Sequence, residues 1–181
     1  EKILPNIKPE WGRISYQIWC AGCSSGEECY TLAMLLQDYK DQGGWLPSFS
    51  IVGTDISEQA LAVAQKGRYP VRELENIPAL WQQKYLSMDE AGTSFDIGRA
   101  IREKVRFQRM NLLKPSVGLG QYDLVLCRNV MIYFNEESRK KLIEKLYRAL
   151  KPGGYLFVGH TELLPRNHEL FEYVCPAVYR K

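Results

Sequence analysis

Residues 18–30 read IWCAGCSSGEECY, and this stretch decides the fold class. An apolar run ends in a turn of small residues, and the turn leads into EECYTLAMLLQDY (27–39), where apolar residues recur at helical spacing. We predict a helix there, with a buried stripe formed by Leu32, Leu35, Leu36 and Tyr39. A strand, a small-residue turn and a helix in this order are typical of the nucleotide-binding turn of α/β proteins.

The rest of the chain continues this alternation of strands and helices. β-rich apolar runs predict strands at 13–19, 48–55, 104–112, 122–130 and 155–160. Helices are predicted at 58–65, where Ser57 is the N-cap, and at 136–150, where the sequence KPGG ends the helix. The buried stripe of the latter is predicted to be Leu142, Ile143, Leu146, Tyr147 and Leu150. Residues 170–175 and 177–181 predict a closing antiparallel pair, so the expected fold is α/β with a mostly parallel sheet covered on both faces.

Length and composition predict one domain. A chain of 181 residues, 45% hydrophobic and 25% charged, is enough for one core. We interpret residues 1–13 as a linker, residues 14–181 as the domain, and residues 66–104 as an inserted subdomain. The four arginines of the insert either face an acidic partner or form a solvated surface: Arg68, Arg72, Arg99 and Arg102.

Several function classes fit the sequence poorly. No apolar run approaches the roughly 20 residues that cross a bilayer, so we expect no direct membrane insertion. A net charge of +3 is too small to favour nucleic acid as a partner. Five cysteines without a secretory signal favour a reduced cytoplasmic compartment. Cys20 and Cys23 form a C-x-x-C pair, but further ligands are lacking, so we expect small buried residues rather than a metal site.

The turn after the first strand indicates the charge of its ligand. Gly22 and Gly26 are spaced G-x-x-x-G, and Glu27 and Glu28 follow at once. Two carboxylates at this position would repel a pyrophosphate, although acids in a first helical turn are also favourable to the helix dipole. The combination predicts a phosphate-free ligand with a positive charge, such as S-adenosylmethionine.

Polar residues follow the other strands, where ligands of parallel sheets bind. Asp55 ends the second strand and can accept hydrogen bonds from ribose hydroxyls. Asn111 offers an amide to an adenine edge, and Leu112 offers a backbone amide and an apolar wall. Asn129 can meet the amino-acid end of the ligand. Two alternatives stay open: Asn111 as a turn former and Asn129 as the cap of a helix start.

At these residues the chain resembles the catalytic domain of the chemotaxis receptor protein-glutamate O-methyltransferases of the CheR type. The matching stretches are IWCAGCSSGEECYTLAM, VGTDIS, MNLL, YDLVLCRNVMIYF and LKPGGYLFVGHTELL, in family order from residue 18 to the C-terminus. The resemblance implies a Rossmann-like class I methyltransferase fold, in which residues 66–104 form a small β-subdomain. It also implies S-adenosylmethionine as methyl donor and glutamate carboxylates of methyl-accepting chemoreceptors as acceptors.

The resemblance also implies roles for individual residues. Ala21 with Glu27 and Glu28 would lie along the methionine end of the ligand, and which glutamate makes the main contact stays open. Asp55 would hold the ribose, Asn111 and Leu112 would face adenine, and Asn129 and Val130 would complete the pocket. Tyr133 would stand near the transferred methyl and orient the acceptor; the alternative is a core tyrosine beneath the 136–150 helix. The family usually has proline where this chain has Cys29.

The expected function is therefore methyl transfer from S-adenosylmethionine to the cytoplasmic domain of chemoreceptors. Because a carboxylate with a pKa of about 4.3 is already ionised at neutral pH, in-line transfer needs no general base. Family members carry an N-terminal helical domain with an active-site arginine, so we interpret the chain as a fragment whose activity is reduced. The main alternative is a non-catalytic S-adenosylmethionine sensor that binds a regulatory partner. A further rival is methylation of a nucleic-acid base or of a small molecule, but Asn129 is not followed by the prolines that are typical of amino-methylating DNA enzymes.

Overall fold

The computed structural model of the chain describes residues 15–114 and 121–181. In chain order, these residues form ten strands: β1 (Ser15–Ala21), β2 (Ser48–Asp55), β3 (Arg68–Pro70), β4 (Leu86–Met88), β5 (Ser94–Ile97), β6 (Val105–Arg109), β7 (Tyr122–Cys127), β8 (Leu150–Val158), β9 (Glu172–Cys175) and β10 (Val178–Arg180). The described residues also form five α-helices: α1 (Glu27–Asp41), α2 (Glu58–Lys66), α3 (Ala79–Tyr85), α4 (Arg99–Arg102) and α5 (Glu136–Ala149). The predicted linker, residues 1–13, lies outside the described residues.

Seven strands form the main sheet, in the order β6-β2-β1-β7-β8-β10-β9. The first five of these strands pair in parallel, and β10 pairs antiparallel with both β8 and β9. The predicted fold class is therefore confirmed. Strands β2 and β6 lie on one side of β1, and β7 and β8 lie on the other. The strand order therefore reverses between β1 and β7, whose carboxyl ends are adjacent. Ligands of open α/β sheets bind at this point.

The buried face of α1 differs from the predicted stripe. Leu35 is exposed, while Cys29, Tyr30, Ala33 and Met34 are buried together with Leu36. Helical spacing alone does not show which other elements pack against the helix. In the structure α1 also contacts α4 and packs Tyr30 edge-on against Tyr69 of the insert, so the buried face is wider and rotated.

The segment KPGG, residues 151–154, lies within a strand rather than ending a helix. Helix α5 ends at Ala149, and β8 begins at the next residue, Leu150. Gly153 has a φ of 76°, and the pairing of β8 with β7 shifts register in this region. The Gly153 amide donates to the Lys181 carbonyl (2.9 Å), and the Lys181 amide donates to the Gly154 carbonyl (2.9 Å). The two glycines therefore let the start of β8 bend and pair with the end of the chain.

The inserted region forms a second, antiparallel sheet of three strands in the order β3-β5-β4. This sheet shares its core with the main sheet, because Tyr69, Phe95 and Ile97 belong to the same buried cluster as Leu36 and Ile51. The small subdomain is therefore built onto the fold and does not have a separate core.

Three of the four arginines of the insert have partners within the chain. Arg68 makes two hydrogen bonds to the Asp96 carboxylate, Arg99 pairs with Glu103, and Arg102 lies 3.4 Å from the Lys66 carbonyl. These contacts favour the solvated-surface interpretation. No helix in the two described ranges is long and apolar enough to span a bilayer.

Candidate functional site

A cavity of about 610 Å³ lies at the carboxyl ends of β1, β2, β6 and β7. Six of the predicted site residues line it: Asp55, Asn111, Leu112, Asn129, Val130 and Tyr133. The other lining residues are Gly22, Ser24, Ile56, Met110, Leu113 and Phe134. Four segments that are far apart in the sequence thus meet around one space.

The turn after β1 is tied to the end of β2. The amides of Gly22 and Cys23 both donate to the Thr54 carbonyl, at 2.8 and 2.9 Å. Gly22 has a φ of 77°, and a Cβ at this position would overlap the Val130 side chain. The absence of a side chain at Gly22 therefore lets the loop after β7 close over the turn.

Asp55 anchors the site as well as lining it. Its Oδ2 accepts a hydrogen bond from the Ser24 amide (2.8 Å), and its Oδ1 accepts one from the Ser57 amide (2.9 Å). Each carboxylate oxygen has a second acceptor position, so the group can still bind two hydroxyls on the cavity side. The sequence predicted the ligand role but not these two backbone contacts.

The side-chain oxygen of Asn111 is used in a hydrogen bond that shapes the cavity. Its Oδ1 accepts from the Leu113 amide (2.9 Å), so the turn-former alternative describes the oxygen correctly. Within the described parts of the chain, the Nδ2 group has no acceptor, and it remains available to a ligand. Leu112 is largely buried and, with Met110, contributes an apolar wall.

The loop after β7 carries three of the predicted residues. Asn129 has a φ of 58°, a left-handed conformation that asparagine tolerates better than most residues. It is not a helix cap, because the cap of α5 is Asn135, whose side chain accepts from the Ser138 amide (2.9 Å). Tyr133 lies in a short 3₁₀ turn and is 80% exposed, so the core-tyrosine alternative is wrong.

The two glutamates of the α1 start face different surroundings. Glu28 forms an ion pair with Arg128 (2.9 Å), next to Asn129 in the chain, and burial raises the pKa of Glu28 above its usual value. Glu27 accepts a hydrogen bond from the Ser25 hydroxyl (2.6 Å) and lines a separate narrow cavity of about 170 Å³ toward the inserted sheet. Ala21 is buried at the end of β1. These three residues do not line the larger cavity.

Two charged residues near the cavity were missed by the sequence reasoning. Arg128 had a signal, since it lies inside the CRNVMIYF motif beside Asn129. Glu162 lies inside the quoted stretch LKPGGYLFVGHTELL, but nothing in the sequence indicated that it is buried; in the structure it is 1% exposed. Its carboxylate accepts from the backbone amides of Asn129 and Ile132.

The chemistry of the cavity is mixed. Its lining offers a carboxylate and two amide side chains together with apolar side chains, among them Ile56, Leu112 and Val130. The Glu28–Arg128 pair adds one charge of each sign beside the loop after β7. Such a site suits a ligand with hydroxyls, a flat heterocycle and a zwitterionic end. Among the residues described, no group of three or more His, Cys, Asp or Glu side chains is placed to hold a metal ion.

Comparisons with known proteins agree on one family. The sequence profile described as the SAM binding domain of CheR methyltransferases matches residues 1–179. A chemotaxis protein methyltransferase of Borreliella burgdorferi is 38% identical over all of this chain and 62% of its own length. Chemotaxis protein methyltransferase 1 of Pseudomonas aeruginosa is 33% identical over 99% of this chain and 68% of its own length. The chain thus spans roughly two thirds of the relatives it matches.

Solved structures support the fold. A SAM-dependent methyltransferase from Methanosarcina mazei covers 87% of this chain, with 56% of its own length, at a TM-score of 0.50 and 21% identity. PKMT2 from Rickettsia typhi covers 86% of this chain, with 22% of its own length, at a TM-score of 0.52 and 17% identity. At these identities the likeness concerns the fold alone.

Proposed function

The chain belongs to the CheR methyltransferase family, and from this premise we propose that it binds S-adenosylmethionine in the 610 Å³ cavity and transfers a methyl group to glutamate carboxylates of chemoreceptors. The observation that carries the proposal is the convergence of Asp55, Asn111 and Asn129, each from the end of a different strand, on one cavity. The names of the relatives, which are chemotaxis protein methyltransferases, support methylation in chemotaxis, and the family resemblance implies glutamate carboxylates of chemoreceptors as the acceptor.

The residues around the cavity fit the parts of this cofactor. Asp55, held by two backbone amides, would accept the ribose hydroxyls. Asn111 would present its free Nδ2 group to adenine, between the apolar side chains of Leu112 and Met110.

Glu28 and Arg128 would serve the amino-acid end of the cofactor, which carries an ammonium and a carboxylate. An ion pair with one charge of each sign can exchange its internal contact for contacts with both. Of the two glutamates, Glu28 is the better candidate, because Glu27 faces the inserted sheet. Ala21 would contribute backbone at the end of β1, and Asn129 and Val130 would close the loop over the ligand.

The bound cofactor would supply a methyl group on a positively charged sulfur. The contribution of the chain is then positional, since an ionised glutamate of the acceptor needs no base. Tyr133 lines the cavity, has an exposed side chain and would hydrogen-bond the acceptor carboxylate. Its exposure leaves it accessible to a protein substrate, and docking of that substrate would exclude water from the reacting groups.

The partner and the compartment belong to the same proposal. We expect the acceptor to be the cytoplasmic domain of methyl-accepting chemoreceptors, with the reaction in the cytoplasm. Because the chain spans 62% of the Borreliella relative, acceptor recognition by the whole protein can involve further residues.

The cofactor half of the proposal is tested by thermal shift and calorimetry. S-adenosylhomocysteine is expected to raise the melting temperature, and NAD is not. Asp55→Ala should weaken S-adenosylhomocysteine binding by about 1–3 kcal/mol through loss of charge-assisted hydrogen bonds. A matched control is Asp89→Ala, since Asp89 also accepts backbone amides (Thr93 and Ser94) but lies in the turn between β4 and β5. Stabilisation by NAD alone would contradict the proposal.

The acceptor half is tested with labelled S-adenosylmethionine and a receptor cytoplasmic fragment. Label that enters the receptor and is released by mild base identifies a glutamate methyl ester. If the chain binds the cofactor but transfers no methyl group to the receptor fragment, and a longer form of the protein also transfers none, a non-catalytic sensor is favoured.

A further inference from the structure

Glu162 is a buried acid that the proposed chemistry does not use. It lies after β8, outside any helix or strand, and its side chain is 1% exposed. Within the described ranges, no lysine, arginine or histidine forms a salt bridge with its carboxylate. A buried carboxylate without a cation is costly unless hydrogen bonds compensate for lost water.

Three backbone amides provide that compensation. The Glu162 Oε2 accepts from the amides of Asn129 (2.7 Å) and Gly159 (3.0 Å), and Oε1 accepts from the amide of Ile132 (3.2 Å). The backbone of the same segment is fixed in turn, because Arg139 of α5 donates to the carbonyls of Glu162 (3.2 Å) and Leu163 (3.3 Å). One carboxylate thus joins the loop after β7 to the loop after β8.

The loop after β7 needs such an anchor. Asn129 is held with a φ of 58°, which an L-residue adopts at some energetic cost, and the loop continues through Val130 to Tyr133. All three residues line the large cavity, whereas Glu162 does not. Any effect of Glu162 on a ligand therefore passes through the loop.

We propose that Glu162 is a positioning residue, which fixes the 129–133 loop in the conformation that forms one wall of the cofactor cavity. The identity of the ligand rests on the proposed function, but the link between Glu162 and the loop rests on the contacts above. The structure also predicts which contact is most vulnerable. In Glu162→Gln, the side-chain oxygen can take the Oε2 position and still accept from the backbone amides of Asn129 and Gly159. The side-chain NH₂ group then faces the Ile132 backbone amide, which is also a donor, so the contact with Ile132 is the one lost.

The test compares Glu162→Gln with a matched control, Asp123→Asn. Asp123 is also a buried acid that accepts a backbone amide (Gln17, 2.7 Å), but it pairs in addition with Lys151 (2.9 Å) and lies near the opposite end of β7. Binding of S-adenosylhomocysteine is measured by calorimetry at a temperature where each full chain is folded. We expect the Kd of Glu162→Gln to rise at least about tenfold, and that of Asp123→Asn to stay near the unsubstituted value.

Hydrogen exchange gives a second readout that does not need the ligand. In Glu162→Gln, the amides of Asn129 and Ile132 should exchange faster than in the unsubstituted chain, while amides in β1 and β2 keep their protection. In Asp123→Asn the loop amides should stay protected. A uniform rise over the whole chain would mean a general stabilising role and would overturn the proposal.

Gly159→Ala tests the same contact from the other side and decides the question if Glu162→Gln does not fold. A Cβ at Gly159 would lie 2.5 Å from the Glu162 Oε2 and 3.0 Å from the Asn129 Oδ1, so it displaces the carboxylate without changing its charge. It should reproduce both the weaker binding and the local exchange. A folded Glu162→Gln chain that binds as tightly as the unsubstituted one overturns the inference. Failure of the unsubstituted chain to bind contradicts the proposed function instead, and the exchange comparison still tests the loop.

Discussion

Tyr133 is the residue whose environment most sharply separates a role in catalysis from a role in folding. A side chain that is 80% exposed contributes little to the core, so its hydroxyl can be removed without loss of stability. We expect Tyr133→Phe to lower the rate of receptor methylation by roughly ten- to a hundredfold, because the acceptor carboxylate is less well oriented. The Kd for S-adenosylhomocysteine should remain nearly unchanged.

Tyr147→Phe is the control for that substitution. The Tyr147 ring packs edge-on against Phe171 in the buried cluster that contains Leu142 and Leu146 of α5, and its hydroxyl has no hydrogen bond among the described residues. The control should leave both the rate and the affinity intact. Equal loss of rate and affinity in Tyr133→Phe would assign Tyr133 to cofactor binding.

Glu28 predicts a pH dependence of cofactor affinity. Burial raises the pKa of Glu28 above its ordinary value of 4.5, while Arg128 acts in the opposite direction; the buried thiols of Cys29 and Cys127 are its other titratable neighbours. If Glu28 holds the cofactor ammonium, affinity for S-adenosylhomocysteine must fall as pH decreases through this raised pKa. Calorimetry at a series of pH values from neutral into the acid range measures this dependence.

The raised pKa of Glu28 affects the stability of the fold in the opposite direction to its effect on cofactor affinity. Because the pKa of Glu28 is raised on folding, the folded chain binds this proton more tightly than the unfolded chain does. Protonation of Glu28 therefore favours the folded state, so titration of this group does not by itself unfold the chain. Glu28→Gln should bind more weakly at neutral pH and lose the pH dependence in this window. A variant that keeps the dependence would place its cause elsewhere.

At the scale of elements, the start of α1 depends on close packing at Gly26. Gly26 has a φ of 92°, and a Cβ there would lie 2.8 Å from the Ala64 Cβ of α2 and 2.9 Å from the Phe107 ring of β6. Gly43, with a φ of 85°, has nothing within 4 Å of the same position. Comparing alanine substitutions at Gly26 and Gly43 therefore separates the cost of backbone strain from the cost of steric overlap.

Chemical denaturation should resolve the two effects. Gly43→Ala is expected to lower the free energy of unfolding by about 1–2 kcal/mol through strain alone. Gly26→Ala should lower the free energy of unfolding by about 1–3 kcal/mol more, because the added Cβ overpacks the site. It should also weaken S-adenosylhomocysteine binding, because the turn after β1 moves. Equal losses in both variants would mean that the contacts of Gly26 with α2 and β6 are not limiting.

At the scale of the whole molecule, the inserted sheet and the main sheet should unfold together. Phe95 of β5 is 1% exposed and lies in the cluster that contains Ile51 of β2. Phe95→Ala should therefore lower the free energy of unfolding by about 3–5 kcal/mol. Tryptophan fluorescence and circular dichroism should report one coincident transition.

Met88→Ala is the control for the whole-molecule prediction. Met88 pairs with Phe95 across the small sheet but is 50% exposed, so its removal should have little effect. An early transition confined to the insert, where Trp81 is the local probe, would show that the small sheet is a separate folding unit.

Local pattern was sufficient for the alternation of strands and helices and for the residues that follow the strands. Asp55, Asn111 and Asn129 were predictable because each lies at the carboxyl end of a predicted strand, and the carboxyl ends of parallel strands meet at one edge. The end of α5 was less predictable, since KPGG usually terminates a helix and here lies within β8.

The sequence by itself determined the fold class and the family, because both depend on residues that are near one another along the chain. Only the tertiary structure decided that Leu35 is exposed, that Glu28 rather than Glu27 lies beside Arg128, and that Tyr133 is accessible. Glu162 belongs to the same group, since it bonds an amide 33 residues away. Burial and pairing of this kind depend on which segments the fold brings together, and the spacing of residues within one segment does not contain that information.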